Sequence, residues 1–118
     1  MADVYDRTVA ALSVLGYPVR EQGTYQPDEV LPQTHVTYQV IDQTNPGHAD
    51  NMPISTTTRV QVTVYSTDPS VVQHADGLLR VAMLPSGFLR VTGRRLPLDP
   101  ETGHYGYTSD YRLYESEG

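Results

Sequence analysis

Apolar and polar positions along this chain change period several times, and the order of those periods predicts its elements. Val4, Thr8, Ala11, Leu12 and Leu15 recur at three- and four-residue steps, which predicts an amphipathic helix over 3–15. Asp3 and Asp6 stand near its start, where the helix dipole favours negative charge, and Gly16 stops it. Residues 22–33 are polar and carry Gly23, Pro27 and Pro32, an extended connection preceded by room for one short strand around Pro18 to Arg20. Val36, Tyr38 and Val40 then alternate with His35, Thr37 and Gln39, a half-buried strand over 34–42. The pattern repeats over 57–66, where Val60, Val62 and Val64 alternate with Arg59, Gln61, Thr63 and Tyr65.

A helix start with a mechanism follows. Asp68 can cap free amides, and Pro69 at the first helical position wastes no donor. Val71, Val72, Ala75, Leu78, Leu79, Ala82 and Met83 make an apolar stripe over the next turns, and Leu84-Pro85-Ser86-Gly87 ends it. Strand character resumes over 88–96, turns through residues 97–103, and returns over 104–115, with 115–118 read as a frayed acidic tail. The order αββαββ predicts an α+β fold in one domain, 1–118. It is a single, mostly antiparallel sheet of about four strands with two helices packed on it.

Between the first two long strands lies 43–56, rich in turn formers. Hairpin loops usually hold about two to five residues, and longer ones are commonly functional, so this loop is the first surface to suspect. Asn45, His48, Asp50 and Asn51 are its polar candidates for a subunit interface.

Composition narrows the chemistry. A chain of 118 residues with 38% hydrophobic and 19% charged positions lies in the globular range and can bury a core. There is no cysteine, which excludes disulfides, thiolate metal sites and cysteine nucleophiles. There is no lysine either, which excludes Schiff-base chemistry on that side chain. The first residues carry Asp3 and Asp6 where a signal peptide needs positive charge, and no apolar run approaches the roughly 18 residues of a membrane span, so a cytoplasm-like solvent is expected. Fourteen carboxylates against eight cations, all arginine, give a formal charge of −6, which repels duplex nucleic acid. The arginines suit carboxylate recognition at interfaces; a G+C-rich coding bias is the other reading.

Candidate sites are sparse. The histidines at 35, 48, 74 and 104 share no helix face or turn, so no metal site is expected; His48 and His104 read as loop residues. The stretch from Asp42 to Gly47 has oxygens in the order of a calcium loop, but Pro46 and Pro53 break it. Ser70 and His74 stand four apart on the predicted helix without an orienting acid, and Asp99 with Glu101 reads as a solvated turn. No glycine-rich phosphate loop occurs, so no cofactor is expected. Nine tyrosines serve a chain with one phenylalanine and no tryptophan. Tyr38, Tyr107 and Tyr111 are expected in the core, whereas Tyr65 and Tyr114 alternate to the opposite face and join Arg59 and Gln61 as interface candidates.

The run from Thr57 to Ser66, followed by Asp68 and a helix containing Ala75-Asp76-Gly77-Leu78-Leu79, resembles the centre of the tail terminator, or tail completion, proteins of long-tailed bacteriophages. The resemblance spans nearly the whole chain in layout and rests on pattern more than on any invariant motif. It implies a structural virion protein without enzymatic activity, assembled in the host cytoplasm. Its place is the head-proximal end of the tail, as a ring, commonly a hexamer, on the last ring of tail tube protein. That ring halts tube growth and presents a surface to the head–tail connector, while DNA passes through without specific binding. An acidic lumen would let DNA pass by repulsion. Two other readings stay open: another head–tail joining protein, such as an adaptor or stopper, and a ligand-binding or enzymatic ferredoxin-like domain.

Overall fold

The computed structural model describes residues 3–26, 28–44 and 54–117. Along the chain run α1 (Val4–Leu12), β1 (Val19–Glu21), β2 (Thr34–Thr44), β3 (Ile54–Ser66), α2 (Pro69–Gln73), α3 (Ala75–Met83), β4 (Phe88–Leu96) and β5 (Tyr105–Glu117). The strands form one sheet in the order β1-β2-β3-β5-β4, antiparallel except for β1 against β2. The α+β class holds, with a sheet of five strands instead of four. The extra strand is the short segment after Pro18, which pairs Val19–Glu21 with Val36, Thr37 and Tyr38.

The helices cover one face of the sheet. α1 is capped by Asp3, whose side chain accepts from the Asp6 amide at 2.8 Å, and its buried stripe is Val4, Thr8, Ala11 and Leu12. Thr8 can lie in the core because its hydroxyl donates to the Val4 carbonyl at 2.6 Å. A single 3₁₀ turn, Ser13–Leu15, leads to Gly16 at φ 79°, a left-handed end that glycine adopts without strain. Against this stripe and that of α3 pack Val36 and Tyr38 of β2, Val60, Val62 and Val64 of β3, and Tyr107, Tyr111 and Leu113 of β5. The three tyrosines expected in the core are there.

The predicted continuous second helix is broken at His74, whose backbone sits at φ −102°, ψ 5°. The imidazole Nδ1 donates to the Ser70 carbonyl at 2.7 Å, taking the acceptor that the residue's own amide would use in an unbroken helix. That amide turns to Val71 instead, at 3.2 Å. The break explains why Ser70 and His74 form no nucleophile–base pair: the Ser70 hydroxyl donates to Asp68, at 2.8 Å.

The strands outrun their predicted ends. Ile54, Ser55 and Thr56 of β3 pair with Glu117, Ser116 and Glu115, so 115–117 is strand and not a frayed tail. β-Branched residues at 54 and 56 give β5 a partner that the valine alternation starting at 60 does not reveal. β2 likewise continues to Thr44, pairing with Thr57. The predicted loop shrinks from 43–56 to 45–53, which lies outside the described residues. Two bulges, at Ile41 and Val91, leave those residues without a cross-strand partner and reset the alternation beyond them.

Candidate interaction surface

The face of the sheet away from the helices divides into a covered half and a bare half. Residues 22–26 and 28–33 cross the covered half as a strap. Its entry is fixed by the Gln22 amide bonding the Tyr38 carbonyl at 2.8 Å. Arg20 holds it by donating to the Thr24 carbonyl at 2.7 Å, by an ion pair with Glu29, and by lying over the Tyr25 ring at 4.1 Å. Tyr25 meets His35 edge-on at 5.3 Å, and His35 stacks on Tyr65 at 5.1 Å.

Beneath the strap the sheet brings together two histidines that are far apart in sequence. His35 and His104 meet edge to face with ring centroids 5.1 Å apart, both buried. His35 Nδ1 lies 3.1 Å from the Pro32 carbonyl and His104 Nε2 lies 2.9 Å from the same oxygen. A carbonyl only accepts, so both nitrogens carry protons in the neutral rings, and His104 keeps a bare Nδ1 that is buried without a partner among the described residues. Burial, opposed by the Pro32 bond and reinforced by the neighbouring His104, holds the His35 pKa below its ordinary value. Burial and the nearby Asp99 push the Tyr65 phenol up. The pairing was invisible in sequence because it depends on register. Tyr65 faces His35 on one side and Gly106 on the other, and Leu96 and Tyr65 lie within 3.3 Å of where a Gly106 side chain would begin.

A cleft of about 250 Å³ opens between strap and sheet, lined by Tyr25, Leu31, His35, Tyr65, Asp99 and His104 among others. Asp99 is otherwise a turn residue: its side chain accepts from the Glu101 amide at 2.9 Å, as expected for a solvated hairpin. Among the described residues no three His, Asp or Glu side chains converge as a metal site would require.

The bare half is polar. Arg59 and Arg112 stand directly opposite each other on β3 and β5, and Gln61 stands opposite Asp110. Arg59 donates to Asp110 at 2.9 Å and Gln61 approaches its other oxygen at 3.4 Å, so Asp110 gathers two of the candidate side chains. Tyr114 is exposed on the same face. Tyr65, by contrast, is half-buried in the histidine cluster. Asn45, His48, Asp50 and Asn51 lie outside the described residues.

No protein-family model and no curated protein sequence matches the chain. Its fold does match solved structures. One is a chain of the virion of a native gene transfer agent particle, with a TM-score of 0.63 and 12% identity over 98% of this chain and 92% of that one. At that identity the likeness establishes a shared fold over nearly the full length of both chains.

Proposed function

We propose that this chain is a structural protein of a phage-like virion, and within it a tail terminator. It would close the tail tube as a ring of copies of itself and offer the opposite surface to the head–tail connector. The observation that carries this reading is the near full-length fold match to a virion chain. The resemblance of 57–79 to tail terminators supports the finer role. So does the polar half-face of Arg59, Gln61, Asp110 and Tyr114, whose arginine and exposed tyrosine suit contact with another protein surface. On this reading the chain is not an enzyme, and DNA passes its ring without specific contact.

The test is to make particles without the protein. Overlong tubes indicate a terminator, whereas tubes of normal length that fail to join heads indicate an adaptor or stopper. A second reading, a small-ligand domain, is favoured by the cleft with its two buried histidines. Both histidines, however, spend an N–H on the Pro32 carbonyl, which makes the cluster a clamp on the strap.

A further inference from the structure

The sheet is open, and its two edges differ in charge. β4 is one edge, paired only with β5. It carries three arginines and no carboxylate. Arg90 is engaged, donating to Asp76 at 2.8 Å and to the Tyr107 hydroxyl at 3.2 Å. Arg94 and Arg95 are exposed and make no ion pair with any described residue. Leu89 and Val91 are exposed on the same strand. Two cations left uncompensated in a chain of net charge −6 form a local field opposite in sign to the whole molecule.

The other edge is acidic on balance, because Arg20 of β1 is taken up by its ion pair with Glu29. β1 shields β2 only at Val36, Thr37 and Tyr38, leaving the outer side of β2 beyond them without a strand. Beside it stand Asp3, Asp6 and Glu21, all exposed. Glu21 stands opposite Tyr38 in the strand register, and Tyr5 of the helix that carries Asp3 and Asp6 meets the Tyr38 ring edge-on at 6.4 Å. Burial, then these charges, push the Tyr38 phenol above its ordinary pKa. Tyr5 and Ile41 supply exposed apolar surface at this edge. An open strand edge flanked by apolar side chains is a surface that proteins ordinarily cover.

From this we infer that copies of the chain associate head to tail, the β4 edge of one copy, with Arg94 and Arg95, docking on the acidic β1–β2 edge, with Asp6 and Glu21, of the next. The inference rests on the ring reading and specifies its contact. Edge-to-like-edge pairing is disfavoured, because it sets Arg94 and Arg95 against themselves. Two unlike patches at opposite edges leave one of each free after every addition, so association propagates and ends only by closing.

Charge reversal tests this. Variant one is Arg94→Glu/Arg95→Glu; variant two is Asp6→Arg/Glu21→Arg, which leaves the Asp3 cap of α1 intact. Both are checked for native circular dichroism, and assembly is read by native mass spectrometry and light scattering. Each variant alone is expected to lose self-association by about tenfold or more, as rupture of interfacial charge complementarity does. Mixed one to one, they are expected to assemble again, since each variant edge then meets an edge of opposite charge. Wild-type assembly by both variants, or no recovery on mixing, overturns the edge pairing while leaving the ring reading in place. Wild-type protein that stays monomeric both free and on tail tubes overturns both.

Discussion

The Tyr107 hydroxyl lies 2.1 Å from the point where a Cβ on Gly93 would stand, so the tyrosine ring crosses a position that only glycine leaves open. The bulge at Val91 turns Gly93 to the helix side, and Arg90 holds the ring there through its hydroxyl. Gly93→Ala is therefore expected to destabilise the fold by about 1–3 kcal/mol, as overpacking does. Chemical denaturation checks it. Combining it with Tyr107→Ala should cost less than the two single changes summed, because the clash is then gone.

Tyr111 is fully buried and its hydroxyl makes no hydrogen bond of normal geometry among the described residues. Burial pushes its phenol up to about 12. Removing an unsatisfied polar atom is neutral or favourable, so Tyr111→Phe should change stability by no more than about 1 kcal/mol, in the stabilising direction. Loss of stability on this substitution would mean that the hydroxyl has a partner.

The histidine clamp makes stability pH-dependent. His35 has a folded pKa below its ordinary value, so the unfolded chain takes up the proton more readily. Its contribution is complete above about pH 6.5 and is lost as pH falls from there through the folded pKa. Unfolding midpoints measured between pH 8 and 5 should fall in that window, and His35→Gln should flatten the slope.

Asp76 accepts from Arg90 at 2.8 Å and Arg80 at 3.0 Å. Burial opposes its ionisation, but bonds from Arg90, Tyr107 and Arg80 outweigh that and lower its pKa. The stability this gives is present above the ordinary carboxylate range and is lost as pH falls through the lowered pKa. The group is about a third exposed and solvent screens it, so Asp76→Asn should cost about 1 kcal/mol at neutral pH and weaken the dependence below roughly pH 4. Acid titrations of the two proteins compare them directly.

Where burial follows a local period, the sequence was readable. The stripe from Val4 to Leu12 and the valines at 60, 62 and 64 lie on the core side, and Asp68 caps its helix through the Ser70 amide at 3.0 Å. The His74 break is not legible in the sequence, because a side chain there competes with the backbone for one carbonyl, which leaves no mark on the apolar stripe. The strap, the His35–His104 contact and the Gly93–Tyr107 crossing all depend on which strands become neighbours, and the chain between the partners carries no periodic trace of it. Arg59 and Gln61 were placed on the right face by alternation alone. Asp110, which joins them, lies 51 and 49 positions further along the chain, and no local pattern pairs it with them.

The central claim is that this chain binds copies of itself and other virion proteins. Cryo-electron microscopy of particles assembled with the protein tests it most directly. The account predicts a closed ring of this chain on the head-proximal end of the tail tube, with β4 of each copy against the β1–β2 edge of its neighbour. Intact particles without it, together with a monomer that holds a small molecule in the His35–His104 cleft, would contradict it.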